Sequence, residues 1–263
     1  SLSRSFTAKA RMKPIDYSVY TTMTITRRGP ADSVLDVQMK AGANGKLPTA
    51  GHAGHEELSE IWRDVGKDDS VRCVVLRGAG RCFSAGHDLG DIAKGERLPR
   101  ANFQSHVIER LANLPQPVIT AVHSHCYTGA LELALAGDVI LASANAKFAD
   151  THAKWALTPV WGMSQRLPRR VGQAKAMEMM LTCVTLSGQE ATAIANKNEA
   201  TAARYGKAWE HTFNAYETAE RAVGALAQEF VGGHVSGTAT AAGRVLTSAT
   251  LVGVALRPGT EPG

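Results

Sequence analysis

Apolar and polar residues alternate along the N-terminal part of the chain. Residues 19–26 are β-branched and alternating, which predicts a strand, and a second strand is expected around 33–39 after an Arg-Gly-Pro turn. Residues 41–54 are rich in Gly and small residues, which predicts a loop. Residues 55–65 carry apolar side chains at helical spacing, which predicts a helix with Leu58, Ile61, Trp62 and Val65 on its buried face.

Farther along the chain, continuous apolar runs of strand length occur at 71–76, 118–122 and 139–142. A run that is apolar at every position predicts a strand buried on both faces, as in a parallel sheet. Helical patterns at 103–113 and 130–135 lie between these runs. Strands and helices that alternate in this way predict an α/β architecture built from repeated crossover units.

The two ends of the chain differ in character from its centre. Residues 189–232 are rich in Ala, Glu and Lys, and residues 232–263 are dominated by Gly, Ala, Thr and Val. We therefore expect a flexible leader at 1–15, a core that holds the active site at 16–190, and a helical segment with a flexible tail at 191–263. The leader is basic, as in a transit-peptide remnant, but its shortness favours plain disorder.

Composition narrows the class of protein. Hydrophobic residues make up 44% and charged residues 20% of the chain, which is typical of a globular protein, and no apolar run is long enough to cross a bilayer. The four cysteines are scattered without metal-ligand spacing, which favours reduced thiols and a cytoplasmic location. The net charge of +5 suits an anionic ligand, whereas nucleic-acid binding is not favoured because basic and aromatic residues do not interleave.

Two glycines mark the chemistry that the sequence predicts. Gly86 and Gly129 each stand where an apolar strand gives way to a helix, and such turns leave backbone N–H groups without intrahelical partners. Two such turns that face one point would form an oxyanion hole for a carbonyl oxygen that gains negative charge. Glu132 follows one helical turn later among apolar residues, where burial would raise its pKa toward neutrality. The sequence therefore predicts an acyl-group enzyme with an acid–base carboxylate.

Four segments together resemble the crotonase (enoyl-CoA hydratase/isomerase) superfamily, in the family's order and at compatible spacing, and they lie at 83–89, 114–122, 129–138 and 146–167. The resemblance implies a right-handed spiral of repeated ββα units with a C-terminal helical segment. It implies assembly as a homotrimer or hexamer. It also implies an acyl-CoA thioester as substrate, with CoA as part of the substrate and with neither a metal nor a redox cofactor.

The resemblance also assigns roles to individual residues. The oxyanion-hole amides would be those of His87 and Gly129, and Glu132 falls where the family's hydratases carry the first of two catalytic glutamates. His152 occupies the position of the second carboxylate, and Asp150, two residues earlier, could act in its place if the loop is displaced. The alternative for His152 is a hydrogen-bonded structural role beside Trp155.

Substrate contacts are expected from the first glycine turn, at Ala85, Gly86, Asp88 and Leu89. Trp155 is expected to line an apolar acyl pocket together with Trp161 and Met163, although core or trimer contacts would explain the same residues. His123 and His125 bracket a serine, but neither a nucleophilic nor a metal-binding partner follows at recognisable spacing, so both are interpreted as turn residues.

Hydration of a 2-enoyl-CoA is the reaction that these assignments predict. Isomerisation, decarboxylation and hydrolysis of a CoA thioester are alternatives, because all of them pass through the same enolate. A protein that only binds acyl-CoA or RNA is an alternative of another class. The presence of Glu132 beside Gly129 favours an enzyme, since a binding protein would not need that carboxylate.

Overall fold

The computed structural model describes residues 15–41, 48, 52–88, 103–202 and 249–254. The main sheet has six strands in the order β1-β2-β3-β4-β6-β9, and its strands are β1 (Met23–Arg28), β2 (Val34–Met39), β3 (Cys73–Gly78), β4 (Val118–Val122), β6 (Val139–Ser143) and β9 (Ala249–Val254). The pairs β2–β3, β3–β4 and β4–β6 are parallel, whereas both edge strands pair antiparallel. The continuous apolar runs therefore form the central parallel strands of this sheet, as the sequence predicted.

A second, smaller sheet has the order β5-β7-β8, with strands β5 (His125–Tyr127), β7 (Lys147–Ala149) and β8 (Thr185–Ser187). Ser84 extends it through a parallel bridge to Cys126. The chain thus alternates between a strand of the main sheet, a strand or bridge of the small sheet, and a helix. This repeated ββα order confirms the predicted α/β class.

Within the described residues there are six α-helices: α1 (His52–Val65), α2 (Phe103–Ala112), α3 (Gly129–Leu135), α4 (Met163–Val171), α5 (Gln173–Thr182) and α6 (Gly188–Ala202). The main core lies between the sheets and these helices, with Trp62, Phe83, Leu111 and Leu133 among its fully buried side chains. A smaller buried cluster that includes Val75 and Ile119 lies on the other face of the main sheet. Among the described residues, no helix is both long and apolar enough to span a membrane.

Some element boundaries differ from the predictions. The first strand begins at Met23, because Tyr17–Val19 forms a 3-10 turn that Asp16 caps through the Ser18 N–H. Helix α1 begins at His52, inside the predicted loop. Strand β9 lies in the range 191–263, for which the sequence predicted a helical segment with a flexible tail. Most of the predicted leader, and residues 203–248 and 255–263 of the predicted C-terminal segment, lie outside the described residues.

Candidate active site

The two glycine turns lie side by side in the structure. Gly86 has a φ of 98°, and a Cβ added there would lie 2.9 Å from the Tyr127 carbonyl oxygen and 3.5 Å from the Gly129 nitrogen. A Cβ on Gly129 would in turn lie 3.9 Å from the His87 nitrogen. Only glycine at position 86 permits both the left-handed φ and this close approach. The backbone nitrogens of His87 and Gly129, far apart in sequence, therefore share one small region.

Backbone and side-chain hydrogen bonds hold the first turn. The Pro48 carbonyl accepts hydrogen bonds from Ser84 Oγ and from the Ala85 N–H, each at 2.9 Å. Ser84 Oγ also accepts from the Gly86 N–H at 3.2 Å. Because the amides of Ala85 and Gly86 are used within the turn, the next amide along the chain is that of His87, the one beside Gly129.

The second turn begins helix α3. Thr128 has a φ of 58° and donates its N–H to the Ala149 carbonyl at 2.9 Å, which ties the turn to strand β7. Glu132 donates its N–H to the Thr128 carbonyl at 3.1 Å. The amide of Gly129 precedes that bond, and helical geometry gives such an amide no intrahelical acceptor. Its position suits polarisation of a substrate carbonyl.

Glu132 is buried on helix α3, with only 1% of its surface exposed. Its Oε1 accepts hydrogen bonds from the N–H groups of Trp161 and Met163, at 2.9 and 3.0 Å. Burial raises the pKa of Glu132 to about 7, against the opposing effects of His152 and of the two amides. A carboxyl group that titrates near neutral pH is suited to general acid–base catalysis.

His152 lies between two carboxyl groups. Its Nδ1 is 2.6 Å from Asp150 Oδ1, which also accepts the His152 backbone N–H at 3.1 Å. Its Nε2 is 3.7 Å from Glu132 Oε2. Because a carboxylate oxygen accepts, we assign a proton to Nδ1, and Nε2 is then the atom that exchanges protons on the Glu132 side. Asp150 thus lies on the opposite side of the imidazole from Glu132, and this geometry gives it a supporting position.

The other predicted site residues differ in how exposed they are and in whether the structure describes them. Asp88 is half-buried at the end of the first turn, and Leu89 lies outside the described residues. The Trp155 side chain is 51% exposed, and the Lys154 ammonium lies 6.0 Å from its ring centroid.

The two turn histidines have local partners of their own. His123 Nε2 lies 2.9 Å from the Gly80 carbonyl oxygen, and His125 is the first residue of strand β5, with its Nδ1 3.2 Å from Ser124 Oγ. Within the described ranges, no group of three or more His, Cys, Asp or Glu side chains could hold a metal ion. His123 thus lies in the turn, as interpreted from the sequence, whereas His125 belongs to the strand that follows it.

Trp161, which was expected only as a pocket or core residue, supports the site together with Arg166 and His55, which were not predicted. Trp161 holds Glu132 through its amide, and Arg166 Nη1 donates to the Trp161 carbonyl at 2.7 Å. The His55 ring contacts those of His87 and Trp161, with centroid distances of 4.4 and 5.2 Å. His55 precedes Leu58 by three positions and Trp62 by seven, so its place on the apolar face of α1 could have indicated burial.

Comparison with known families agrees with this geometry. A family model described as enoyl-CoA hydratase/isomerase matches residues 49–203, more than half of the chain. The chain belongs to the enoyl-CoA hydratase/isomerase family. The resemblance proposed from the sequence is thereby confirmed, and the matched range contains both glycine turns together with Glu132, Asp150 and His152.

Individual relatives of this enoyl-CoA hydratase/isomerase family member give the same result. A protein named probable enoyl-CoA hydratase 1, peroxisomal, from Arabidopsis thaliana is 36% identical over 143 residues, 51% of each chain. The 1,2-epoxyphenylacetyl-CoA isomerase of Escherichia coli (strain K12) is 38% identical over 144 residues, 52% of this chain and 55% of that one. The chain spans about half the length of the curated relatives it matches.

Solved structures show the same fold. The crystal structure of an enoyl-CoA hydratase from Bacillus anthracis superposes with a TM-score of 0.60 at 28% sequence identity, and the match covers 70% of this chain and 74% of that chain. The crotonase-type fold of this family member is therefore established by comparison with solved structures as well as by its own strand order.

Proposed function

We propose that the protein is an enzyme that hydrates the double bond of a 2-enoyl-CoA. The observation that carries this proposal is the placement of a buried Glu132, with a pKa near 7, 3.7 Å from His152 and one helical turn from the Gly129 amide. The named activities of the family relatives support the same class of substrate. CoA enters as part of the substrate, and the reaction needs neither a metal nor a redox cofactor.

The thioester carbonyl is polarised first. Its oxygen accepts hydrogen bonds from the His87 and Gly129 amides, and the negative charge that develops there during water addition makes those bonds stronger than in the ground state. The enoyl carbons C2 and C3 then lie toward Glu132 and His152. This arrangement makes C3 electrophilic and C2 basic as the enolate forms.

Water adds with balanced proton transfers. Ionised Glu132 takes a proton from the water through Oε2 while the water oxygen bonds to C3 and the π electrons move to the thioester oxygen. When the enolate collapses, C2 takes the proton from Nε2 of protonated His152. A proton transfer from Glu132 to His152, across the 3.7 Å contact, restores the starting state. We assign Asp150 a positioning role in this scheme, because it holds the opposite nitrogen of the imidazole.

The remaining expectations are proposals as well. We propose a homotrimer or hexamer, by analogy with the family, and light scattering tests this assembly. A cytoplasmic location is supported by the free thiols of Cys73, Cys82 and Cys126, which are buried and reduced. Nucleic acid is not proposed as a partner.

Crotonyl-CoA hydration, followed as the loss of enoyl-thioester absorbance, tests the function. Glu132→Gln keeps the shape and the amide contacts but cannot transfer the proton, so we expect a loss of about 10²–10⁴-fold in kcat with thioester affinity retained. Glu178→Gln, at an exposed carboxyl on α5, is the matched control and should behave as wild type.

Each other outcome has a definite meaning. Release of free CoA thiol in place of hydration would replace the hydratase by a hydrolase at the same site. Equal activity in wild type and Glu132→Gln would remove the carboxylate from the mechanism. Thioester binding without any turnover, by wild type and variant alike, would favour a binding protein.

A further inference from the structure

The indole of Trp161 lies at the edge of the candidate oxyanion hole. A Cβ added to Gly129 would lie 3.9 Å from Cε3 and Cζ3 of Trp161, and the His55 ring contacts the same indole. Trp161 is 5% exposed. Its benzenoid edge thus packs beside Gly129, and its N–H edge lies on the opposite side of the ring.

The N–H of this indole is buried. Among the described residues, Trp161 Nε1 is a fully buried polar atom without a hydrogen-bond acceptor. Buried indole N–H groups are normally hydrogen-bonded, because a donor removed from water without a new acceptor costs free energy. Because this unsatisfied donor lies next to the candidate active site, an acceptor on a bound ligand would satisfy it.

The backbone holds this donor in place. The Trp161 N–H donates to Glu132 Oε1 at 2.9 Å and its carbonyl accepts from Arg166 Nη1 at 2.7 Å. The next residue, Gly162, has a φ of 93°, and a Cβ there would clash with the Arg166 guanidinium. The residue is therefore fixed on both sides, and its ring is preorganised toward one acceptor position.

We propose that the Trp161 indole N–H binds an oxygen at the distal end of the substrate's acyl group. This proposal rests on the proposed function and names its substrate class: 2-enoyl-CoA thioesters whose acyl chain carries a keto or hydroxyl oxygen remote from the thioester. The oxygen is distal because the N–H edge faces away from Gly129. A keto or hydroxyl oxygen fits because a single neutral N–H donates one hydrogen bond, which an uncharged acceptor satisfies.

The test compares matched thioesters. Binding is measured by calorimetry for hexanoyl-CoA and for its 5-oxo and 6-hydroxy analogues, and turnover is measured for the corresponding 2-enoyl-CoA compounds. One added hydrogen bond to a buried donor predicts a preference of roughly tenfold for at least one oxygenated analogue. Trp161→Phe keeps a ring but removes the donor, so the preference should fall to about one. Trp62→Phe makes the same change at a core tryptophan and should leave the ratio unchanged.

The measured quantity is a ratio between ligands, so a general loss of activity in Trp161→Phe does not affect it. The four tryptophans give separate indole N–H signals in a nitrogen–proton correlation spectrum. The one absent from Trp161→Phe should move downfield with the preferred oxygenated thioester, and not with hexanoyl-CoA.

Equal affinity for all three thioesters, or a preference that persists in Trp161→Phe, would overturn the proposal. A tenfold binding preference that depends on Trp161, without turnover of any enoyl-CoA, would support the subsite and reject the hydratase. Absence of thioester binding would overturn both.

Discussion

Glu132 gives this protein a stability that depends on pH in a predictable direction. Burial raises its pKa in the folded state from 4.5 to about 7. A carboxyl group with a raised pKa stabilises the fold in its protonated form. That stabilisation is complete below the unfolded pKa of about 4.5 and is lost as pH rises through 7. Replacing Glu132 by glutamine removes the ionisation and keeps an oxygen that accepts from Trp161 and Met163.

The magnitude follows from the two pKa values. Between pH 5 and pH 8 the ionisation of Glu132 lowers the free energy of unfolding by roughly 2–3 kcal/mol. The Glu132→Gln variant lacks this loss, so its stability relative to wild type should improve by that amount over the same interval. In a chain of this size the relative gain corresponds to about 5–10 °C in Tm.

Thermal unfolding followed by circular dichroism at pH 5 and pH 8 measures this difference. Wild type, Glu132→Gln and the exposed control Glu178→Gln are compared in the same buffers, so that the titration of all other groups cancels. The control should parallel wild type at both pH values. A Tm difference between Glu132→Gln and wild type that is the same at pH 5 and pH 8 would refute the raised pKa, and with it the electrostatic basis of the proposed acid–base role.

Two further substitutions test the geometry of the site. Asp150→Asn removes the carboxylate that holds His152 Nδ1, so kcat for enoyl-CoA hydration should fall by at least about tenfold with little change in KM. Asp69→Asn, at an exposed aspartate, is the control. An altered KM with normal kcat in Asp150→Asn would contradict the positioning role. Gly86→Ala forces a side chain to within 2.9 Å of the Tyr127 carbonyl at a φ of 98°, which should displace the His87 amide and lower kcat/KM by about 10²–10³-fold. Gly54→Ala, in α1 where a Cβ meets nothing within 4 Å, should be active and at least as stable as wild type, and equal activity of the two alanine variants would exclude the His87 amide from catalysis.

Much of the central fold could be read from local pattern. The apolar run at Val118–Val122 is buried at all five positions and forms a central parallel strand. Such a run predicts burial on both faces whatever surrounds it. The three strands of the small sheet escaped prediction, since each has three residues and is too short to establish a period.

In the candidate site, too, features set by neighbouring residues could be predicted and contacts between distant segments could not. Gly86, Gly129 and Glu132 could be selected from sequence because turn glycines and a carboxylate in an apolar helix are local signals. The Asp150–His152–Glu132 alignment was expected only from the family resemblance, because Asp150 and His152 follow strand β7 whereas Glu132 lies on helix α3. The contact of His55 with His87 and Trp161 joins three separate segments, and no spacing along the chain encodes it.

By itself, then, the sequence determined the parallel strands, the helix that carries Glu132, and the turns whose amides would bind an oxyanion. Only the tertiary structure decided that the His87 and Gly129 nitrogens share one region, that Asp150 contacts the Nδ1 side of His152, and that the Trp161 indole packs beside Gly129 with its N–H buried. The physical reason is the distance along the chain over which each property is determined. Backbone conformation responds to neighbouring residues, whereas burial, the pKa of Glu132 and hydrogen-bond satisfaction depend on groups that packing brings together from distant parts of the chain.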